Sequence, residues 1–458
     1  MKTKLLILAI VLIFTNSIFA QKEHYVWYFG DSAGVDFNPG SPVALTDGLL
    51  YTYEGCATIS DANGNLMFYT DGTLVWDRNH NVMPNGDSLG GSNTSTQSAI
   101  IVPKPGNNLI YYIFTLGGQL SANKSFNYSF VDMSLNGGNG DVVLKNVLID
   151  SLISEKLTAV RHANNNDIWV MVHGVNNNNF YCYHVNNSGI SFSPVISSIG
   201  ISILGTDIIG QMKFSPDGSK IAFAAYLSGS VSLFDFDNST GIVSDEKFLP
   251  LYNEAYGIEF SVTGNYLYST RFTAGTIYQW DISSDTASVI NLTRQLIATS
   301  PSLGSLQLGP DRKIYVARND KYFLGVINYP DSSGSSCNYV DTAVSLGVNR
   351  SRVGLPNFVT SYFLPTGINI NNPQQNQLTI SPNPATDKIN ISFPPTTSEN
   401  ITTKIYSITG EVVFKQENKS AAPITNFQIP IFNMSNGIYF LSVQTGREMV
   451  TRKIVVNH

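Results

Sequence analysis

The stretch that decides the fold is Gln211-Met-Lys-Phe-Ser-Pro-Asp-Gly-Ser-Lys-Ile-Ala-Phe223. A short apolar strand runs into a Ser-Pro-Asp-Gly turn, and a strand rich in apolar and aromatic residues follows it. The same unit recurs about every 43 to 60 residues, with turns that begin at Asp61, Lys104, Asn164, Ser215, Ser261 and Gly309. Periods of about 40 to 50 residues with several strands per unit are typical of a β-propeller. The sequence therefore predicts an all-β propeller over residues 21–366.

The two ends of this region predict how the ring closes. Six units are visible, and strand-like segments remain at 25–29 and 35–37 and at 355–363. Joined, these N- and C-terminal strands make one further blade, and this closure leaves no unpaired sheet edge. We expect seven blades, with six and eight as the alternatives.

The composition agrees with this fold and excludes other classes of protein. Only 13% of the 458 residues are charged, against about 25% in an average globular protein. A hydrophobic content of 43% argues against disorder. The net charge of −6 excludes a strongly basic nucleic-acid-binding protein.

The N-terminus predicts export from the cytoplasm. Lys2 and Lys4 precede the apolar run 5–14, and the small residue Ala20 ends a segment with the features of a secretory signal peptide. The apolar run is much shorter than the roughly 20 residues that span a bilayer. No later segment is long and apolar enough to cross a membrane, so we do not expect a membrane-spanning protein.

The C-terminus predicts a second, small domain. Residues 378–458 follow a linker at 367–377, and the alternation of Ile389, Ile391 and Phe393 is typical of half-buried strands in a β-sandwich. Its ordered motifs are Ser381-Pro-Asn-Pro384, the hairpin at 406–410, Gly437-Ile-Tyr439 and Lys453-Ile-Val-Val456.

This tail closely resembles the type A C-terminal sorting domain of type IX secretion substrates. The residues that carry the resemblance are Pro382, Asn383, Pro384, Gly410, Gly437, Tyr439 and Lys453. The resemblance implies a Gram-negative cell of the Bacteroidota type and the type IX machinery as a partner. It also implies delivery, after Sec export through the periplasm, to the medium or to the outer-membrane surface.

Two further resemblances concern the propeller. Trp76-Asp77, Phe234-Asp235 and Trp280-Asp281 resemble the Trp-Asp ending of WD40-like repeats, and we expect the ring to pack and the Asp to cap a turn. The set from Trp27-Tyr-Phe-Gly30 to Gly354-Leu-Pro-Asn-Phe358 is similar to a family of exported propellers in the same bacteria. That family implies the fold and the location but no activity.

Several motifs imitate active sites without their structural context. Gly30-Asp-Ser-Ala-Gly34 fits a hydrolase nucleophile elbow, but no helix can follow it, so a β-turn is expected. Gly86-Asp-Ser-Leu89 imitates an esterase block in a chain that lacks an α/β pattern. The segment from Asp61 lacks the Gly and Glu that a calcium loop needs at its sixth and twelfth positions. We expect no metal and no cofactor.

The candidate ligand-binding residues come from the expected mouth of the funnel, where each innermost strand begins. Counting back from the turns, and adding the last strand, gives Glu54, Gln97, Lys156, Gln211, Tyr256 and Arg352. Such a ring suits hydrogen bonding to a polar ligand. The alternative is that these side chains solvate the mouth and join neighbouring blades.

The function hypothesis is a secreted or cell-surface binding module whose ligand is a polysaccharide or a surface protein. The alternative is a secreted carbohydrate-active hydrolase or lyase with its site in the funnel. That chemistry needs two carboxylates about 5 to 9.5 Å apart, and the candidates are Glu54, Asp71 and Glu259. The sequence does not identify the ligand, the fate of the tail or the oligomeric state.

Overall fold

Short antiparallel strands build both parts of the protein in the computed structural model. The structure describes residues 21–118, 124–364, 379–392, 400–407, 411–419, 426–445 and 448–458. The chain forms two units that divide between residues 368 and 369. The predicted signal peptide, the predicted linker and Gly410 lie outside the described residues.

Seven small sheets make up the described part of the first unit, and each consists of strands that follow one another in the chain. Two of them have three strands: β1 Val26–Phe29, β2 Ala33–Asp36 and β3 Val43–Leu45; then β4 Ala57–Ser60, β5 Leu66–Thr70 and β6 Val75–Asp77. The third and fourth are β7 Ala99–Lys104, β8 Asn107–Leu116, β9 Ser125–Asp132 and β10 Asp141–Ser151; then β11 Ile153–Arg161, β12 Ile168–Gly174, β13 Asn179–Asn186, β14 Gly189–Ile190 and β15 Val195–Ser198.

The remaining three sheets of this unit have four strands each. They are β16 Met212–Phe214, β17 Lys220–Ala225, β18 Ser230–Asp237 and β19 Ile242–Pro250; β20 Ala255–Phe260, β21 Tyr266–Arg271, β22 Thr276–Asp281 and β23 Gln295–Thr299; β24 Leu303–Leu308, β25 Ile314–Arg318, β26 Phe323–Ile327 and β27 Tyr339–Ser345. The helix α1 spans Ala287–Leu292, and 3-10 turns lie at Asn136–Gly138, Gly205–Ile208, Gly334–Cys337 and Thr360–Phe363.

The first strands of successive sheets pack against one another, as the innermost strands of a propeller do. β4, β7, β11, β16, β20 and β24 contact each other in this order. Val353 completes the circle, because its carbonyl accepts from Ser305 N and its amide donates to the carbonyl of Tyr53. The first unit is therefore a β-propeller, as the repeated turns predict.

The segment that closes the ring, residues 350–363, is called the closing segment below. It does not form the regular inner strand expected at 355–363. The amide of Asn357 donates to Cys56 O, whereas its side chain donates to Leu157 O at 2.8 Å. Further along, Thr360 Oγ1 donates to Ala159 O. These hydrogen bonds place the segment between the start of β4 and β11. Residues 360–363 form a 3-10 turn there instead of a strand. Seven blades stay a prediction, since the innermost strand of the first blade is irregular.

Large buried rings fill the spaces between sheets. Trp27 in β1 is fully buried and its ring lies 5.3 Å from that of Tyr315 in β25, centroid to centroid. Phe37 and Phe358 complete this contact, so both ends of the propeller region share one core with the last sheet. Burial of this kind stabilises by about 25 cal/mol per Å² of apolar surface.

The motifs that imitate active sites form ordinary turns. Ser32 lies in the β1–β2 hairpin with φ 56°, and no helix follows it. The Asp61 carboxylate accepts from the amides of Asn63 and Asn65. Asp77 does the same for Asn79 and Asn81, and Asp281 for Ser283, which is the capping role expected for the Trp-Asp endings. Asp235 differs, because its carboxylate pairs with Lys220 and Lys247 instead of capping a turn.

The second unit is a sandwich of two sheets. One has the order β28 Thr379–Ser381, β29 Lys388–Ser392 and β32 Asn426–Pro430; the other has the order β31 Val412–Lys419, β30 Asn400–Ser407, β33 Gly437–Thr445 and β34 Glu448–Val456. Isoleucines from both sheets meet in a common core, which includes Ile389, Ile405 and Ile454. Asn383 ties the start of the unit to its last strand, because its Oδ1 accepts from Val455 N at 2.8 Å.

Candidate binding face

One end of the propeller gathers the loops that lead into the inner strands, and we call it the entry face. It consists of residues 46–56, 199–211, 251–254, 300–302 and 346–352, together with the turns 30–32, 226–229, 272–275 and 319–322. All six candidate ligand-binding residues lie at or just inside this face. Four of their side chains are buried, and those of Glu54 and Arg352 are partly exposed.

Gln97 and Gln211 are buried and bond to backbone groups of neighbouring sheets. Gln97 Oε1 accepts from Leu157 N and Met212 N, and its Nε2 donates to Met212 O. Gln211 Oε1 accepts from Ile258 N and Leu306 N. Each glutamine therefore links inner strands of two other sheets, which is the blade-joining role that the sequence left as an alternative.

Lys156 is also a link between sheets. Its Nζ donates to the carbonyls of Ile209, Gly210 and Ala224 at 2.7 to 3.0 Å. The residue is fully buried, and burial lowers the pKa of its ammonium to about 7. Lys156 thus holds β11 against β17 and the loop before β16.

Glu54 is the candidate whose environment is most unusual. It is partly buried, and burial together with the nearby Glu155 raises the pKa of its carboxyl to about 8. Tyr256 lies beside it, and burial and the same two carboxylates raise the pKa of the Tyr256 hydroxyl. Glu155 in turn accepts from Thr96 N and Thr96 Oγ1 at 2.9 and 3.0 Å. Three sheets thus bring two carboxyl groups and a phenol together at the ring centre.

Arg352 joins the last segment of the propeller to its first hairpin. Its Nε and Nη2 donate to the two carboxylate oxygens of Asp31 at 2.9 and 2.6 Å. A bidentate pair of this kind is a strong charge-assisted contact. Asp320 lies on the other side of the guanidinium, 3.5 Å from Nη1.

The other two carboxylates considered for catalysis are already engaged. Asp71 accepts from the amides of Thr73 and Leu74. Glu259 accepts from Leu308 N and lies 3.5 Å from Lys213 Nζ in a fully buried pair. Burial raises the pKa of the Glu259 carboxyl, whereas Lys213 and two backbone amides lower it, and these partners are the ones that a buried carboxylate needs.

The sequence patterns do not indicate Glu155 or the exposed tyrosines of the entry face, which are Tyr51, Tyr53, Tyr252 and Tyr322. Glu155 is next to Lys156, but the count from the turns selects one residue per unit. Tyr51 and Tyr53 are two positions apart, as are Arg350 and Arg352. In an extended segment this spacing places both side chains on one side, and it is the signal that could have found them.

Other features of the described residues do not add a site at this face. No group of three or more His, Cys, Asp or Glu that could hold a metal ion occurs in the part of the chain that the structure describes. A shallow cavity of ≈ 600 Å³ lies at the opposite end, between Asn38, Asn63 and Arg78. Among the described residues, no helix has the length and apolar character needed to cross a membrane.

Comparison with known families concerns the second unit. Residues 379–457 match the family described as the secretion system C-terminal sorting domain. The chain carries a type IX sorting tail. This tail includes the Asn383–Val455 contact and the hydrogen bond from Tyr439 Oη to Ser435 O. It makes this a protein of the outer-membrane surface or the medium. No curated protein matches the chain.

Solved structures resemble the propeller at low sequence identity. A functionally unknown protein from Desulfotomaculum acetoxidans is 11% identical with a TM-score of 0.43, and the match covers 72% of this chain and 98% of that one. A putative 6-phosphogluconolactonase from Bacteroides fragilis is 11% identical with a TM-score of 0.40, covering 82% and 98%. The periplasmic gluconolactonase of Pseudomonas aeruginosa is 12% identical with a TM-score of 0.38, covering 79% and 97%.

Proposed function

We propose that the protein is a binding module that the type IX secretion machinery delivers to the cell surface or the medium. Its ligand is a polysaccharide or a protein of the cell surface, and the entry face of the propeller contacts it. Residues 1–20 serve as the signal peptide, 21–366 as the propeller and 378–458 as the sorting domain, in a cell of the Bacteroidota type.

The observation that carries this proposal is the way in which the inner ring is used. Gln97, Lys156 and Gln211 spend their polar groups on backbone partners in neighbouring sheets. Buried polar groups that are fully hydrogen-bonded rigidify a structure. Such a ring is suited to displaying fixed loops to a ligand, and it leaves Glu54 and Arg352, both partly exposed, to contact that ligand.

Deletion of residues 379–458 tests the delivery step in a host that has the type IX machinery. We expect the full chain on intact cells or in the medium, and the shortened chain in the periplasm, as measured by cell fractionation and by protease added outside the cells. A shortened chain that reaches the surface in normal amount would contradict the sorting role.

The second candidate function is a carbohydrate-active hydrolase or lyase, and the charge of Glu155 acting on the carboxyl of Glu54 favours it. A carboxyl group whose pKa is raised toward neutrality, beside a second carboxyl, is the usual arrangement of a general acid and its partner. In this alternative Glu54 donates the proton to the leaving group. Turnover of a polysaccharide by the purified full chain, lost in Glu54→Gln, would establish it.

A further inference from the structure

The entry face carries a compact patch of aromatic and charged side chains where the ring closes. We call it the closure patch and define it by Tyr51, Tyr53, Tyr322, Arg350 and Arg352, with their partners Asp31, Asn319 and Asp320. We propose that this patch is the ligand-binding surface and that it binds an uncharged polysaccharide chain. The inference rests on the proposed binding function and names its site and ligand class.

The patch is continuous although its residues come from distant parts of the chain. The backbone of Asp31 bridges to Tyr51 on one side and to Arg350 on the other. Lys321 bridges to Ser351, and the Tyr53 hydroxyl lies 3.4 Å from Asn319 Nδ2. The first hairpin, the loop before β4, the β25–β26 turn and the closing segment therefore form one surface.

The three tyrosines remain accessible on this surface. Tyr51 is 63% exposed, Tyr322 45% and Tyr53 39%. Large aromatic rings are normally buried, and a group of exposed ones marks an interaction site. Tyr252, 68% exposed, lies elsewhere on the entry face, beneath Arg294, and Tyr329, 60% exposed in the loop after β26, lies at the opposite end of the propeller.

Neighbouring groups hold the patch in place before any ligand binds. The guanidinium of Arg350 lies 5.1 Å from the centroid of the Tyr322 ring, and its Nε donates to the Tyr322 hydroxyl at 2.9 Å. Arg350 also pairs with Asp320 at 2.7 Å. A ring that is already oriented loses less conformational entropy on binding.

The charges of the patch indicate an uncharged ligand. Asp31 and Asp320 are paired with Arg352 and Arg350, so these four side chains carry no net charge as a group. They still offer donors and acceptors beside apolar ring faces, and a sugar chain presents hydroxyl groups and C–H faces to match them. Exposed aliphatic side chains occur on another arc of the entry face, at Leu204 and Leu227, and also in two loops of the patch, at Leu49 and Val348, where they add apolar surface beside the rings.

The test measures binding of the full chain to three neutral hexasaccharides, of β-1,4-linked glucose, mannose and xylose. An oligogalacturonate is included as the anionic probe, because Lys321 adds a positive charge beside the patch. We expect at least one neutral probe to bind, and Tyr51→Ala and Tyr322→Ala to weaken it by about tenfold each. Tyr329→Ala, at the opposite end, should leave affinity unchanged, and Tyr51→Phe, which keeps the ring but loses the hydroxyl, should weaken binding less than Tyr51→Ala.

Every other outcome contradicts the proposal, and each one contradicts a different part of it. A neutral probe that binds the Tyr51→Ala and Tyr322→Ala variants normally moves the site elsewhere and leaves the proposed binding function intact. Binding of oligogalacturonate alone contradicts the uncharged ligand class. Retention of none of the probes contradicts the polysaccharide and the patch together, whereas cleavage of a bound probe contradicts the proposed binding function itself. The melting temperature of each variant is measured as the control for an intact fold.

Discussion

Arg352 holds the carboxylate of Asp31, a residue 321 positions earlier in the chain, with two hydrogen bonds of 2.9 and 2.6 Å. This pair fastens the closing segment to the first hairpin. Both side chains are about one-fifth exposed, so water screens the contact only in part. The same pair lies at the edge of the closure patch, and it therefore connects the stability of the ring to the proposed site.

Loss of this pair should weaken the propeller. We expect Arg352→Gln to lower the free energy of unfolding by roughly 1.5–3 kcal/mol, the range for hydrogen bonds to charged groups. Urea denaturation of the full chain measures it. The matched control is Arg350→Gln, whose partner Asp320 is about half exposed, because exposed ion pairs contribute little to stability. Equal losses in both variants would contradict the closing role of the Asp31–Arg352 pair.

Replacement of Gln97 or Gln211 by Ala should reduce stability strongly. Gln97→Ala leaves two buried amides, those of Leu157 and Met212, without the acceptor that they have in the structure. Each unsatisfied buried group costs about 1–3 kcal/mol, so a loss of roughly 2–5 kcal/mol is expected for either variant. Gln295→Ala, in an exposed strand, should stay within about 0.5 kcal/mol. A normal melting temperature for Gln97→Ala would show that the side chain serves the ligand instead.

Local features of the propeller can be predicted from the sequence, whereas contacts between distant residues cannot. Turn chemistry is local, so Ser215-Pro-Asp-Gly218 and its equivalents indicate the blades without any knowledge of their neighbours. The position of Gln97 at the start of an inner strand is predictable for the same reason. Its partners are not, because Met212 is 115 positions away and only the closed ring brings the two together.

The path of the closing segment is likewise only partly predictable from the sequence. Its proximity to the N-terminal strands follows from the unpaired strand-like segments at both ends. Its irregular path depends on Asn357 and Thr360, whose side chains bond to β11 carbonyls. Likewise, Glu54 and Glu155, whose charges influence one another, lie at two different sheets, so a residue-by-residue count finds Glu54 and overlooks Glu155.

Protonation of Glu54 should make stability depend on pH in a defined direction. Its folded pKa is about 8, above the ordinary 4.5, so the native state holds the proton more tightly than the unfolded state does. The contribution of the Glu54 carboxyl to the free energy of unfolding is fully present below pH 4.5 and is lost as the pH rises toward 8. The melting temperature of Glu54→Gln should therefore exceed that of the natural protein increasingly over this range. A difference that is constant with pH would contradict the raised pKa.

The sorting tail should depend on the contact that joins its first motif to its last strand. Asn383→Ala removes the acceptor of the Val455 amide. We expect less protein at the cell surface and faster cleavage of the tail by added protease. Lys388→Ala, which alters an exposed side chain of β29, serves as the control and should be delivered normally. Normal delivery of Asn383→Ala would show that this contact is dispensable for recognition.

The propeller, in the function proposed above, binds its ligand without converting it. The most direct measurement incubates the purified full chain with the neutral hexasaccharides and follows both their retention and the appearance of shorter products. We expect retention of at least one probe with no products over many hours. Steady product release that disappears in Glu54→Gln would contradict the binding function and assign the protein to the hydrolases or lyases.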